Sequence, residues 1–417
     1  MLLWIVGVYS LYIFLKIYLS IMQIGYINQE KRKEAVILPE GRYLVAGNYA
    51  VAKEKVSIVE SFVEYLLFLW FVFGGLEWLQ KAVGAEGFSS SLIFILLFFA
   101  INFIVSLPFD IYKRFKIDQD FGFNKMTPKM FIEDTLKSIA LFLVFGGAVV
   151  ALLIYIIESS TNWWFWGFLV LVVLIPLINI LYPTVIAPMF NKFEPIEDGE
   201  LKSGIEKMMD SVGLNSDGIF VIDAGKRDSR LNAYFAGLGK SKRVVLFDTL
   251  IKKLTNQELF AVLGHELGHY KHGDIWKNMA LSVGFLFVTF YTFGHLPDSL
   301  FTEIGIVPNG GAILAMIILI LPIFSFIYTP IVGLVSRHNE YEADSFGSEM
   351  GGKNHLVSAL LKLVNENKSF PKSDPIYSKF YYTHPPIIER LKALGVDLEK
   401  PLPKDGIFQF INQNDDR

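Results

Sequence analysis

Seven stretches of apolar sequence, each long enough to cross a bilayer, limit what this chain can fold into more than any other feature. A helix needs about 20 mostly apolar residues to traverse the hydrocarbon core. Candidates lie at about 1 to 23, 58 to 80, 90 to 109, 138 to 158, 163 to 187, 277 to 296 and 312 to 335. The fourth and fifth, LFLVFGGAVVALLIYII and WWFWGFLVLVVLIPLINIL, are apolar on every side, as lipid-exposed spans are. The first lacks a basic start and a small-residue cleavage site, so it reads as a retained span, not a secretory signal. The composition agrees: 53% of the 417 residues are hydrophobic and only 19% are charged.

Loop charges give the spans a direction, because Lys and Arg gather on the cytoplasmic side. Lys31, Arg32, Lys33, Arg42, Lys53 and Lys55 follow the first span, and Lys113, Arg114, Lys116, Lys125 and Lys129 follow the third. The segments after the fifth and seventh spans are also basic, whereas only Lys81 follows the second and none follows the fourth or sixth. This alternation predicts an N-terminus outside and a cytoplasmic C-terminus. It divides the chain into spans one to five with cytoplasmic loops (1–190), a first cytoplasmic part (191–276), spans six and seven (277–335) and a second cytoplasmic part (336–417). Glu64 and Glu77 in or near the second span, and Asn102 in the third, either face a hydrated cavity or sit near the interfaces.

A net charge of -3 provides no basic field for a polynucleotide, so no nucleic-acid partner is expected. Cysteine is absent, which removes disulfides, thiolate ligands and a thiol nucleophile, so any metal must be held by His, Asp or Glu.

Residues 255–274, TNQELFAVLGHELGHYKHGD, open with Thr255 and Glu258 in capping-box register. On the helix that follows, His265 and His269 lie four apart on one face, with Glu266 beside them as a candidate general base. This HExxH pattern needs a third ligand. Position 275 is Ile, which excludes the long His-terminated motif, and the stretch where a soluble enzyme would place its ligand Glu lies in the sixth span. Asp298 and Glu303 fall on the far side of the membrane. The first acids back on the same side are in SRHNEYEADSFG, where Glu340 and Asp344 share a face and Glu342 points away. Glu340 is therefore the expected third ligand and Asp344 the group that orients a ligand imidazole. His338 is a rival ligand two positions off that face; His272, His295 and His355 read as bystanders.

Over most of its length the chain resembles the type I CAAX prenyl endopeptidases. The resemblance is carried by LPFDIYKRF (107–115), FGFNKMT (121–127), YPTVIAPMFNKFEPIEDGELK (182–202), SRLNAYFAGLGKSKRVVLFDTL (229–250), HELGH, SRHNEYEAD and HPPIIERLKAL (384–394). It implies a mainly α, polytopic membrane protein with about seven transmembrane helices enclosing a chamber. It also implies a cytoplasmic zinc-metalloprotease domain with a small β-sheet and one zinc ion per chain on His265, His269 and Glu340. Asn232 of NAYF is implied to position substrate, and His384 to bind the developing oxyanion. Independently, GIFVID (218–223) and RVVLFD (243–248) read as short strands with NAYFAG between them, an edge that could pair with an extended peptide. Pro385 and Pro386 suit a helix start just after His384.

The expected activity is hydrolysis of peptide bonds near the C-terminus of prenylated CAAX-type substrates at a lipid bilayer. A general membrane quality-control protease acting on unprenylated or misfolded membrane proteins is the alternative. Outside enzymology, a polytopic transporter or lipid-binding scaffold would not require Glu266 between two same-face histidines. The C-terminal QNDDR lacks a dilysine-type signal, which leaves both the endoplasmic reticulum and a bacterial inner membrane as locations.

Overall fold

The computed structural model describes residues 1–214, 218–238 and 242–398, so QNDDR and the end of the second cytoplasmic part lie outside the described residues. Long helices dominate because a segment in hydrocarbon must satisfy every backbone polar group internally. In chain order they are α1 (Leu2–Glu30), α2 (Glu40–Val83), α3 (Phe88–Asp118), α4 (Pro128–Ser159) and α5 (Trp163–Phe190). There follow β1 (Phe193–Pro195), α6 (Glu200–Ser211), β2 (Gly218–Ile222), β3 (Ala233–Ala236) and β4 (Arg243–Phe247). Then come α7 (Asn256–Lys271), α8 (Asp274–Gly294), α9 (Gly310–Gly351), α10 (Lys353–Glu366), α11 (Pro375–Tyr381) and α12 (Ile387–Ala393). Each of α2 to α5 contains one wide π turn, at 71–75, 113–118, 142–146 and 182–186. In α2 it is a true kink: Phe73 and Gly74 leave helical geometry, and Gly74 takes φ 142°.

Among the described residues six helices, α1 to α5 and α9, are long and apolar enough to cross a membrane. The expected sixth span coincides with α8, whose opening Asp274, Lys277 and Asn278 dilute its apolar content. In the most apolar stretch of α5 only 6% of residues are buried, in α4 11%, but in α9 56%. A helix packed into a solid bundle covers its inner face. α4 and α5 form a wall that touches little other protein, while α9 runs through packed protein.

The two ends of the helical layer are built differently. At one end the Met1 amine lies 2.9 Å from Glu303, Gln80 exchanges hydrogen bonds with the Val307 backbone, and Asn309 donates to Ala85 O. Glu158 there accepts from Ser91 and from Gly310 N. The opposite end carries the sheet, ordered β1-β2-β4-β3, with β2 and β4 parallel and in register from Gly218↔Arg243 to Ile222↔Phe247. Its strands cover the residues expected from GIFVID and RVVLFD. β3 pairs antiparallel with β4 and forms the outer edge. One sheet face packs Ile219, Val244 and Leu246 against Leu259, Leu263 and Leu267 of α7, which fixes the HELGH helix on the sheet.

Candidate metal centre

The centre is assembled by two helices that nearly touch. α7 starts at a capping box in which Thr255 Oγ1 accepts from Glu258 N and Glu258 Oε2 accepts from Thr255 N at 2.7 Å. Glu258 also accepts from Ser358 and Lys362, which ties the start of α7 to α10. Farther along, a Cβ on Gly268 would stand 2.8 Å from Ala343 Cα, and one on Gly347 2.8 Å from His265 N. A Cβ on Gly351 would come within 2.2 Å of Ala261 Cα. Ala261, Gly264 and Gly268 on α7 therefore face Gly351, Gly347 and Ala343 on α9, the last three spaced by fours, and the missing side chains let the backbones close. That closeness brings Glu340 to the histidines.

His265 Nε2 lies 3.6 Å from Glu340 Oε2, and His269 Nε2 lies 3.3 Å from Glu340 Oε1. One ligand atom from each of the three residues falls within 4.8 Å of the others. Ligands about 2.0–2.1 Å from a tetrahedral ion stand roughly 3.3 Å apart, so the spacing fits zinc with little adjustment. The chemistry fits as well: Glu340 Oε2 is buried with no hydrogen-bond partner, an orphan acceptor that a cation would satisfy. Burial opposes a charge on His269, but hydrogen bonds that it donates to Glu340 and Asp274 outweigh it and lift its pKa to about 9. The pocket thus favours a positive charge between these groups, whether proton or metal.

Behind each imidazole stands a carboxylate. His269 Nδ1 is hydrogen-bonded to Asp274 Oδ2 at 2.8 Å, and His265 Nδ1 lies 2.9 Å from Asp344 Oδ1 without the alignment of a formed hydrogen bond. Asp344 is gripped in turn by Arg390 of α12 through paired bonds of 2.8 and 2.6 Å, and Arg390 also comes 3.4 Å from Glu340. Asp274 and Arg390 escaped the sequence reading. Asp274 could have been found as the acid directly after HELGHYKHG, one helix turn beyond His269; Arg390 sits within the quoted HPPIIERLKAL, but nothing in the sequence brings α12 to α9.

Glu266 lines a cavity of about 410 Å³ together with His269, Tyr270, Trp276 and the edge-strand residues Phe235 and Ala236. Burial, the largest effect, raises its pKa, and the positive charge of the neighbouring histidines opposes that rise. His384 Nδ1 lies 2.7 Å from Glu340 Oε1, on the open side of the centre, its side chain 64% exposed. Arg337, one turn before Glu340 on α9, donates to Tyr382 O at 2.6 Å and so anchors the segment leading to His384. Pro385 and Pro386 precede α12, as their spacing suggests. Asn232 is exposed at the start of β3, its amide oxygen accepting from Ala233 N. The remaining four histidines stand apart: His338 is 73% exposed beside Glu342, His295 contacts Tyr291 O, His272 caps α7, and His355 lies in the first turn of α10.

Residues 31–192 match the family model described as CAAX prenyl protease N-terminal, five membrane helices, and residues 195–396 match Peptidase family M48. CAAX prenyl protease 1 of Saccharomyces cerevisiae is 35% identical over 387 residues, covering 85% of each chain. The Homo sapiens CAAX prenyl protease 1 homolog is 34% identical over 382 residues, covering 78% of this chain and 79% of its own. The crystal structure of S. mikatae Ste24p superposes with a TM-score of 0.84 at 30% identity, over 94% of this chain and 97% of that one.

Proposed function

The chain belongs to peptidase family M48 and carries the N-terminal membrane region of its CAAX prenyl proteases, and we propose that it holds zinc on His265, His269 and Glu340 to cut prenylated CAAX proteins near their C-termini. It is a multi-pass membrane metalloendopeptidase. The observation that carries the finer reading is the near-tetrahedral spacing of the three donors around an orphaned carboxylate oxygen, with Glu266 lining the adjacent cavity.

Bound there, zinc supplies Lewis acidity that polarises the scissile carbonyl and acidifies water. Glu266 takes a proton from the attacking water as its oxygen bonds to the carbonyl carbon, and returns it to the amine nitrogen as the C–N bond breaks. Burial, which raises the proton affinity of Glu266, suits a group that must both accept and give. His384, on the open side of the centre, donates to the oxyanion as it develops. The β3 edge offers main-chain groups to an extended peptide, with Asn232 at its start as the positioning side chain.

For topology, we read the sheet, α7 and the end of α9 as cytoplasmic and the Met1–Glu303 end as outside. Asp274 begins α8 beside His269, and the chain reaches the opposite end by Glu303. The 21 residues of α8 rise about 32 Å, which suits a seventh crossing.

Detergent-purified protein, a farnesylated CAAX peptide and its unprenylated twin test the reading. Zinc near one per chain and cleavage of the farnesylated peptide alone are expected; equal cleavage of both leaves a general membrane protease. Glu266→Gln is expected to keep the metal and lose at least about a hundredfold in turnover. Wild-type turnover by that variant overturns its assignment as the base.

A further inference from the structure

A second cavity, about 840 Å³, is lined in part by His384 and Arg390. Its charged lining is lopsided: Lys53, Lys113, Arg230, Lys368, Lys372 and Arg390 against the single carboxylate Asp118. Four of these cations are already matched, Lys113 by Glu60, Arg230 by Asp118 and Asp228, Lys372 by Glu30 and Arg390 by Asp344. Among the described residues, that leaves Lys53 and Lys368 as the lining cations without a carboxylate partner.

These two lysines are grouped by a pair of aromatic rings. Lys53 Nζ lies 5.3 Å from the Tyr49 ring centre, Lys368 Nζ lies 4.2 Å from that of Phe123, and the two rings are 5.0 Å apart. Lys368 Nζ donates to Phe121 O at 2.7 Å, which occupies one of its three donors. Burial, then the positive charge of Arg42 with smaller contributions from Arg230 and Lys125, lowers its pKa, and the charge of Glu366 only partly opposes this.

The backbone supplies an independent sign. α10 ends with Ser369 N bonded to Val364 O and Lys368 N to Asn365 O, which puts Lys368 in the left-handed position at φ 47°. Four other helix ends among the described residues make the same bond pair, and each uses glycine there: Gly122, Gly213, Gly305 and Gly395. A lysine is strained at such a position, and strain that persists points to a use for the side chain.

Resting on the proteolytic reading above, we propose that Lys53 and Lys368 form an anion site that receives the substrate's terminal carboxylate and thereby selects cleavage near a free C-terminus. The geometry of a CAAX end requires something of this kind. Such an end carries its free carboxylate three residues beyond the scissile bond, and a carboxylate drawn into the cavity that His384 and the two lysines line together needs a cationic partner.

The test uses the full-length chain carrying Glu266→Gln and the C-terminal tripeptide of a CAAX sequence as free acid and as amide, with affinity read by titration. Preference for the acid by about tenfold or more is expected, and it should collapse toward one in Lys53→Met/Lys368→Met. Equal binding of acid and amide, or a preference that survives the double substitution, overturns the proposal. Lys368→Gly controls for folding: it relieves the left-handed strain, so it should hold or raise Tm while weakening the preference. On the otherwise wild-type chain, the acid-to-amide ratio of kcat/KM for the parent farnesylated peptide should fall in parallel. Acid-selective binding with no cleavage of the parent peptide keeps the anion site and overturns the proteolytic substrate reading instead.

Discussion

The seam between α7 and α9 and the wall made by α4 and α5 are both helical and both carry apolar residues, yet they solve opposite problems. In the seam glycines remove side chains so that backbones meet, and Ala261 and Ala343 are fully buried. In the wall, large residues such as Val173, Phe145 and Tyr155 stand more than half exposed. Chemistry needs ligands fixed within a fraction of an ångström, and that precision comes from close packing. Space for a long apolar substrate needs helices that do not fill the interior. Gly268→Val separates the two most sharply, because its Cβ meets backbone that cannot rotate away. A loss on the order of 3 kcal/mol is expected, with metal released, as read by Tm and metal content. A variant with wild-type values for both breaks the account of the seam.

The carboxylates behind the imidazoles test the same precision more gently. Asp274→Asn and Asp344→Asn leave all three donors in place but remove the charge that holds each ring. Tenfold to hundredfold weaker metal binding is expected for each, measured by competition with a chelator. Asp344→Asn also strands Arg390, which lies 11% exposed and loses its main counter-ion, so it should be the worse of the two.

What could be read from the sequence divides along the same line. The HELGH helix, its capping box and the placing of Glu340 and Asp344 on one face are periodicity arguments, and periodicity is local. The spans were legible because a lipid-facing helix is apolar wherever it packs. The glycine seam was not, since Gly264, Gly268, Gly347 and Gly351 look like weak helix formers until the partner helix is known. Arg390 needed the docking of α12 on α9, and β1, three residues ending in Pro195, is too short to carry a strand pattern. Lys368 gave no signal at all, because only backbone geometry distinguishes it from the other lysines.

A third expectation concerns how the start of α7, tied to α10, responds to acid. Glu258 is buried, which alone would raise its pKa, but hydrogen bonds from Lys362 and Ser358 lower it below its ordinary value. A group with a lowered folded-state pKa contributes stability above its unfolded value, near 4.5, and that contribution is lost as pH falls through the folded value. Glu258→Gln should therefore lower Tm at neutral pH and flatten its decline below about pH 4.5, a window set by the unfolded carboxyl. An unchanged acid slope in that variant assigns acid sensitivity to other groups.

The smallest expected effect comes from the wall. Val173 is 66% exposed on α5, so Val173→Ala removes two methyl groups that contact little protein and leaves no cavity behind. Surface substitutions of this kind fall within about 0.5 kcal/mol, whereas Leu263→Ala, on the sheet-facing side of α7, should cost about 2–5 kcal/mol. Tm measured for both in one detergent gives the ratio. If Val173→Ala approaches the cost of Leu263→Ala, α5 is packed against protein at that point, and the contrast between wall and seam fails there.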